Sequence, residues 1–115
     1  MISPSCPVAS PVMATEVLDV PTRSRYEVTV DGELAGFAEY RPIEGARVFT
    51  HTEVLDAYEG KGVGSALARG ALDDVRFRGD RLVALCPFIA AFIERHAEYT
   101  DLVDAELTTR LRARH

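Results

Sequence analysis

The glycine cluster at Gly60, Gly62 and Gly64 marks the point at which the hydrophobic pattern of this chain changes its period. Ahead of the cluster, apolar residues alternate with polar ones, as they do in half-buried β-strands. Behind it, an apolar stripe recurs at helical spacing and comprises Val63, Ala66, Leu67, Ala71 and Val75. A change from strand period to helix period at a single turn predicts an α+β fold, with the glycine turn joining the sheet to a helix.

Antiparallel strands are predicted ahead of the cluster. They cover residues 15–20 (the weakest), 26–30, 33–41 and 47–55. Asp31-Gly32 is a strong signal for a tight hairpin turn, and Gly36 indicates a bulge in the returning strand. Residues 42–46 predict a second turn. Strict alternation in the last strand would place Phe49, His51, Glu53 and Leu55 on one face and Val48, Thr50, Thr52 and Val54 on the other.

Two helices separated by a short strand are predicted after the cluster. The first helix runs from Gly62 to about Phe77, and an apolar strand over 81–86 ends at Cys86. Pro87 suits the first position of the second helix. The buried side of that helix is predicted to be Phe88, Ile89, Phe92 and Ile93. Residues 104–114 fit either a final helix or a strand with a basic tail. The predicted layout is a disordered tail over 1–14, one domain over 15–103, and a C-terminal helix or tail over 104–115.

Composition excludes several classes of function. With 115 residues the chain has room for one domain, and 18 acidic against 13 basic side chains give a net charge of -5. This balance argues against a general binder of nucleic acid or membrane surfaces. No apolar run approaches the ~20 residues that span a bilayer. We expect a monomer or a weak dimer.

The N-terminal segment and the two cysteines favour a cytoplasmic protein. Residues 1–12 lack a basic start and contain three prolines, so we expect no secretory signal, and Met13 is an alternative first residue. Cys6 and Cys86 make a poor disulfide framework.

The glycine cluster has the composition of an anion-binding turn. Backbone N–H groups of such a turn, followed by the positive end of a helix dipole, suit a diphosphate. A Walker loop needs Ser or Thr after its lysine, whereas Lys61 is followed by Gly62. A dinucleotide fingerprint needs two residues between its last glycines, and here there is one. The plainer interpretation is a helix entry whose glycines permit close packing.

The cluster and its flanks resemble the GCN5-related N-acetyltransferases. The coenzyme A loop of that family, Arg/Gln-x-x-Gly-x-Gly/Ala, matches residues 59–64, EGKGVG, except that Glu59 replaces Arg or Gln. The stretch HTEV before the loop and CPFIAAFIERHAEY after it resemble short acetyltransferase-like proteins of bacteria and plants. The resemblance covers about Tyr26 to Tyr99. It implies acetyl-CoA as the cofactor and an amine as the acceptor, either a protein lysine or a small amine. The implied cofactor-binding residues are Val54, Glu59, Gly60, Lys61, Gly62, Val63 and Gly64.

Three side chains are candidates for catalysis. His51 and Glu53 share one strand face by their i, i+2 spacing, and either would serve as the base; the alternative is that both are merely solvated. Cys86 precedes a helix N-terminus, which lowers a thiol pKa, and the short relatives carry a cysteine there. It would protonate the leaving thiolate or be acetylated first, unless it is a buried packing residue. Ile93 stands where many relatives place an acidic tyrosine.

Some of the family pattern is altered, which leaves a second function open. The Glu59 carboxylate would oppose an anion unless Lys61 or Arg69 offsets it. A coenzyme A or acyl-CoA binding module without catalysis is therefore the alternative. No spacing of His and Cys supports a metal site, and the C-terminal arginines (Arg110, Arg112 and Arg114) lack the interleaved aromatics of a nucleic-acid patch.

Overall fold

A computed structural model describes residues 14–113. The strands are β1 (Thr15–Val20), β2 (Arg25–Val30), β3 (Glu33–Ile43), β4 (Ala46–Val54) and β5 (Arg81–Ala84). The helices are α1 (Val63–Arg78), α2 (Pro87–Arg95) and α3 (Ala105–Arg112), and short 3-10 turns span Pro21–Arg23, Asp56–Tyr58 and Ala97–Leu102. Apart from its last residue, the predicted N-terminal tail, with Cys6 and Met13, lies outside the described residues, as does Arg114.

The five strands form one mixed sheet in the order β1-β2-β3-β4-β5. The first four strands pair antiparallel, whereas β5 pairs parallel to β4. Helix α1 makes the crossover that a parallel pair requires. The predicted meander followed by a glycine turn, a helix, a strand and a helix is confirmed, and the fold is α+β.

Two tight hairpins build the meander. Asp31 and Gly32 adopt φ values of 52° and 86°, as predicted for that turn. The second turn is shorter than predicted. Strand β3 continues through Pro42 to Ile43, which pairs with Ala46, so that only two residues lie between the strands. Proline has no backbone N–H to donate to a neighbouring strand. Pro42 is tolerated in β3 because β2 pairs with β3 only as far as Glu39, so no hydrogen bond to β2 is lost at this position.

Bulges in β3 and β4 shift the alternation of side chains. Val28 pairs with Gly36 while Thr29 pairs with Leu34, which confirms the bulge at Gly36. In β4, Glu39 pairs with His51 but Tyr40 pairs with Phe49, so Thr50 is an extra residue. The predicted face of Phe49 was therefore wrong, because Phe49 lies in the core and not on the face of His51. Beyond the bulge the prediction holds for Val54, which packs against the core on the face opposite His51.

The two faces of the sheet are covered differently. Helices α1 and α2 cover one face, where Phe49, Leu67 and Phe92 are fully buried in the main core. On the other face, α3 packs Leu107 against Val48 and Val83 at one end. The segment for which a helix and a tail were both open is thus a helix, capped by Asp104, whose carboxylate accepts from the Leu107 N–H at 3.0 Å.

Within residues 14–113 no helix covers the remainder of the second face, which is called the open face below. Its side chains on β2, β3 and β4 include Arg25, Phe37, His51 and Glu53. The Arg25 guanidinium stacks 4.4 Å from the centre of the Phe37 ring, and Phe37 also contacts the His51 ring. His51 and Glu53 do share this face, as their spacing predicts.

A polar network closes the end of the sheet at the start of β4. Arg47 donates to Asp19 and to the Tyr26 hydroxyl, both at 3.0 Å. Tyr26 in turn donates to Asp74 at 2.6 Å, and Tyr40 donates to Asp19. The side chains of Arg47 and Asp19 are only 12% and 9% exposed, so each charge is neutralised within the protein.

Candidate functional site

A cleft opens on the helical side of the sheet where β4 and β5 separate. The parallel pairing runs from Ala46 with Arg81 to Phe49 with Ala84 and ends there. The N–H groups of Leu85 and Cys86 both donate to the Phe49 carbonyl at 3.0 Å, after which Pro87 opens α2 and carries the chain away. Strand β5 thus ends two residues earlier than predicted. β4 continues to Val54 beside a cleft of about 600 Å³.

The backbone of β4 faces this cleft with free amide groups. The Leu55 N–H donates to the Ala35 carbonyl at 2.8 Å, so Leu55 points towards β3. Since successive residues of a strand point their backbone groups in opposite directions, the N–H of Val54 points to the side that β5 has left. Val54 lines the cleft. Its amide is therefore available to a carbonyl oxygen of a ligand.

The glycine turn forms the next wall of the cleft, and its glycines have different tasks. Gly60 and Gly62 adopt φ values of 79° and 77°, a region that other residues enter only with strain. Gly64 is helical, but a β-carbon there would lie 2.8 Å from Phe88 Cζ and 3.4 Å from Val54 Cγ2. Two glycines thus shape the turn, and the third lets α1 approach α2 and β4.

The first turn of α1 has backbone amides without helical partners, an arrangement that suits an anion. Gly62 is the N-cap and provides no side-chain cap, and the first turn contains no acidic residue. The first backbone bond of the helix is from the Ala66 N–H to the Gly62 carbonyl, so the amides of Val63, Gly64 and Ser65 have no helical partner. All three residues line the cleft. The dipole of this 16-residue helix adds positive potential at the same point.

The Cys86 thiol lies behind one wall of the cleft. Cys86 is 3% exposed and its Sγ donates to Thr52 Oγ1 at 3.3 Å. Thr52 itself lines the cleft. The hydroxyl of Thr52 therefore connects a buried thiol to the space between β4 and α2. Cys86 is the N-cap residue of α2, as predicted from Pro87.

His51 and Glu53 lie on the opposite side of β4 from Cys86. Their side chains are 56% and 53% exposed, and His51 Nε2 lies 3.3 Å from Glu53 Oε1. The structure therefore pairs the side chains of two of the three candidate catalytic residues on the open face, and Glu53 also contributes to the lining of the cleft. Cys86, the third candidate, lies on the cleft side of β4, where it contacts Thr52.

A family model described as GCN5-related N-acetyl-transferase matches residues 25–102. The chain belongs to the GCN5-related N-acetyltransferases. The matched range starts at the first residue of β2 and ends with the 3-10 turn before α3, so it contains the glycine turn and both walls of the cleft. Acetyl-CoA is the general co-substrate of this family.

One solved structure similar to this chain is the ribosomal-protein-alanine N-acetyltransferase from Brucella melitensis biovar Abortus 2308. The two share 25% sequence identity with a TM-score of 0.45, over 70% of this chain and 60% of the other. This chain thus corresponds to less than two thirds of that protein. No curated protein matches the chain.

The predicted cofactor-binding residues, apart from Lys61, line the cleft. The residues that line it include Val54, Glu59, Gly60, Gly62, Val63 and Gly64. Lys61 and Glu59 are both exposed, so each is free to adjust to a ligand. Of the two cations that could offset Glu59, Arg69 pairs with Glu98 at 3.3 Å instead.

Arg95 and Phe88 are cleft residues that the sequence reasoning missed. Phe88 was expected in the core, yet it is only half-buried and lines the cleft with Arg95, Thr52 and Tyr58. Phe88 and Arg95 are seven residues apart, which places them on one face of α2 two turns apart. That spacing was the available signal for Arg95. Its guanidinium forms no ion pair with any residue in 14–113.

Within residues 14–113, no group of three or more His, Cys, Asp or Glu side chains could hold a metal ion. No helix in the same range is both long and apolar enough to cross a bilayer.

Proposed function

We propose that this protein is an acetyl-CoA-dependent N-acetyltransferase. The observation that carries the proposal is the separation of β4 from β5 directly opposite the first turn of α1. It creates one cleft with a free strand amide at Val54 and free helix amides at Val63, Gly64 and Ser65. A carbonyl oxygen and a diphosphate are the two acceptor groups that such a cleft suits, and acetyl-CoA carries both.

The cleft fits the cofactor in charge as well as in hydrogen bonds. The amides of the first turn of α1 would hold the diphosphate. Arg95, a cation in the same cleft with no ion-pair partner in residues 14–113, would hold a phosphate group and offset the carboxylate of Glu59. Phe88 provides an apolar wall between the phosphate end and the strand end of the cleft. The cofactor supplies the activated acetyl group.

The chain would act on the reaction through three groups. The Val54 N–H donates to the thioester oxygen, where negative charge develops. On the open face, His51 or Glu53 takes a proton from the acceptor ammonium, since only the free amine is a nucleophile. On the cleft side, the Thr52 hydroxyl gives a proton to the departing thiolate and receives the proton of Cys86.

The position of Cys86 favours a proton-donating role over direct acetylation. Its thiol is buried and already donates to Thr52, whose hydroxyl lies between it and the cleft. An acetylated Cys86 would have to place two extra carbons in this packed region. We therefore propose direct transfer from the cofactor to the amine.

The experiment that tests this function has two stages. Acetyl-CoA is first titrated into ¹⁵N-labelled protein, and the backbone resonances of residues 59–65 and of Val54 should shift together. Thiol release from acetyl-CoA is then measured with a panel of amines. Shifts without turnover across the panel would instead support the binding-module alternative, whereas no shift at saturating acetyl-CoA would exclude both.

A further inference from the structure

The pair of side chains that would take the acceptor's proton is only weakly held by its own contact. His51 and Glu53 are 56% and 53% exposed, and the contact between His51 Nε2 and Glu53 Oε1 measures 3.3 Å. Exposed pairs of this kind contribute little, because both side chains lose rotamer freedom in holding one geometry. A further contact is therefore needed to keep the His51 ring against Glu53.

Phe37 supplies this contact from the neighbouring strand. The pairing of β3 with β4 places Phe37 directly opposite Glu53. The ring of Phe37 lies 6.2 Å from the ring of His51, centre to centre, with the two planes tilted by 53°. This is within the range of favourable contacts between rings. A rotation of His51 away from its present position would lose the contact with Phe37 as well as the contact with Glu53.

The Phe37 ring is itself held in place from β2. The Arg25 guanidinium stacks on it at 4.4 Å from the ring centre. Arg25 is in turn paired with Glu27 at 2.8 Å, and the two side chains are only 15% and 20% exposed. Contacts thus continue across three strands, from a covered ion pair on β2 through Phe37 on β3 to His51 on β4.

Two carboxylates lie next to His51, and Phe37 accounts for the one that it contacts. Glu39 lies directly opposite His51 on β3. It lines a cavity of about 400 Å³ together with Arg41 and has no ion-pair partner in residues 14–113. His51 nevertheless contacts Glu53, which shares a cross-strand pair with Phe37. The ring contact therefore favours the rotamer of His51 that points to Glu53 over a rotamer that points to Glu39.

We propose that Phe37 is a positioning residue for acetyl transfer, because it directs His51 to Glu53 rather than to Glu39. This inference rests on the proposed function. Glu53 precedes Val54, whose amide would hold the thioester oxygen, so a pair formed at Glu53 is beside the site of transfer. Phe37 does not line the cleft and acts only through His51 and Glu53. Its loss should therefore impair proton transfer and leave acetyl-CoA binding unchanged.

The first test compares variants of Phe37 in the thiol-release assay, with the amine that the wild type acetylates fastest. Phe37→Leu should lower kcat about tenfold, as expected when an acid–base group is held less well. Phe37→Tyr keeps the ring and should keep the wild-type kcat. Calorimetry should give the same dissociation constant for acetyl-CoA in all three proteins.

Removal of the competing carboxylate sharpens this test. The double variant Phe37→Leu/Glu39→Gln should regain at least about threefold of the lost kcat, since Glu53 is then the only carboxylate next to His51. Leu18→Ala is the matched control. Leu18 is 57% exposed and pairs with Glu27 at the β1 end of the open face, away from His51. This variant removes apolar surface from the same face and should change neither kcat nor acetyl-CoA affinity.

The second test needs neither cofactor nor amine. Three-bond NMR couplings of the His51 side chain should show one χ1 rotamer in the wild type and in Phe37→Tyr, and a mixture of rotamers in Phe37→Leu. Equal rotamer populations in the wild type and Phe37→Leu, or an unchanged kcat in Phe37→Leu, would overturn the positioning role. Equal losses of kcat in Phe37→Tyr and Phe37→Leu would do the same. Absence of turnover by the wild type with every amine would instead overturn the proposed function, and the rotamer measurement alone then decides whether Phe37 positions His51.

Discussion

The two halves of β4 have the same kind of sequence but opposite surroundings. From Ala46 to Phe49 the strand pairs on both sides, with β3 and β5, and its side chains are enclosed by α1 on one face and α3 on the other. From Thr50 to Val54 it pairs only with β3. The first half contains Arg47, which is neutralised by Asp19. Around the second half, Glu39 and Arg95 have no ion-pair partners in residues 14–113, and neither has Arg41, which lies opposite Val48 near the end of the first half.

The difference shows how a domain of this size separates stability from binding. In the first half, burial forces each polar group to find a partner inside the protein, because an unpaired buried charge is very costly. In the second half, exposure lets polar groups remain unpaired at little cost, so they are available to a ligand. We therefore expect substitutions in the first half to change stability and those around the second half to change binding.

The largest effect should come from a charge placed at the anion site. Gly62→Asp would put a carboxylate where the amides of α1 meet the diphosphate, and repulsion between close charges should weaken acetyl-CoA binding at least about a thousandfold. Calorimetry measures the dissociation constant.

Gly45→Asp is the matched control for that substitution. Gly45 has φ of 79°, close to that of Gly62, and like Gly62 it has open space around its missing β-carbon. It lies in the hairpin between β3 and β4, at the other end of the strand. Both variants should lose similar stability through backbone strain, but only Gly62→Asp should lose binding. Equal affinities in the two variants would show that the glycine turn does not hold the diphosphate.

A large effect on stability is expected in the first half of β4. Arg47→Met removes the cation that bonds Asp19 and Tyr26, and leaves a carboxylate that is 9% exposed with fewer partners. We expect a loss of about 3 kcal/mol in the free energy of unfolding, measured by urea denaturation. Arg110→Gln, which breaks an ion pair whose side chains are both more than half exposed, should cost less than about 0.5 kcal/mol. A large fall in acetyl-CoA affinity of folded Arg47→Met would contradict the separation of the two halves.

Substitutions of Cys86 and Thr52 should lower turnover without changing the binding of acetyl-CoA. Cys86→Ala is expected to lower kcat about tenfold or more, because it removes a proton donor for the leaving thiolate. Thr52→Val should have the same effect with Cys86 intact, and Thr52→Ser should restore activity because it keeps the hydroxyl. Full activity in Cys86→Ala would make the thiol a packing residue. An inactive Thr52→Ser variant would argue against a hydroxyl relay.

A smaller effect is expected at Arg95. Arg95→Gln removes an exposed cation of the cleft, and acetyl-CoA should bind about fivefold to tenfold more weakly, with a shallower dependence on salt. Comparison with 3′-dephospho-CoA shows which phosphate is involved, because the variant and the wild type should bind the truncated cofactor equally if Arg95 contacts the 3′-phosphate. An Arg95→Gln variant with unchanged affinity and salt dependence would remove Arg95 from the site.

The sequence predicted those features of the fold that neighbouring residues determine. Strict alternation over 26–30 and the Asp31-Gly32 turn were enough to define one hairpin, and the helical stripe after Gly62 defined α1. Both signals are local, since they depend on backbone preference and on the period of the apolar residues. The glycine spacing predicted the turn that opens α1 for the same reason, while its role in binding an anion stays a prediction.

The features that were missed depend on contacts between distant segments. Nothing in the local sequence at Thr50 indicates a bulge. The bulge follows from the pairing of β4 with β3, because the register of that pairing before Thr50 differs by one residue from the register after it. The same applies to Phe88, whose exposure follows from the separation of β4 and β5. Glu39 and Arg41 look like ordinary surface charges in the sequence, and only the fold shows that they share a cavity without pairing.

The pH dependence of stability gives the smallest effect, because it is absent near neutral pH. Burial and a hydrogen bond to Asp19 raise the pKa of Tyr40 to about 12, and burial and a hydrogen bond to Asp73 raise the pKa of Tyr99 to about 12. Below pH 10 both tyrosines are protonated in the folded and the unfolded chain, so their contribution is complete. Between about pH 10 and pH 12 the unfolded chain loses these protons first, and the free energy of unfolding must fall.

Urea denaturation at intervals from pH 8 to pH 11.5 measures this fall, and the absorbance of phenolate reports the titration directly. Tyr40→Phe should flatten the alkaline slope, since the variant lacks one of the two tyrosines whose pKa is raised to about 12. Tyr40 belongs to the network around Arg47. The difference in alkaline slope between the wild type and Tyr40→Phe therefore reports on the first half of β4. Saturating acetyl-CoA should raise the whole stability curve without changing the difference in slope between the two proteins. Were the ligand to change that difference, the two halves of β4 would be energetically coupled rather than separate.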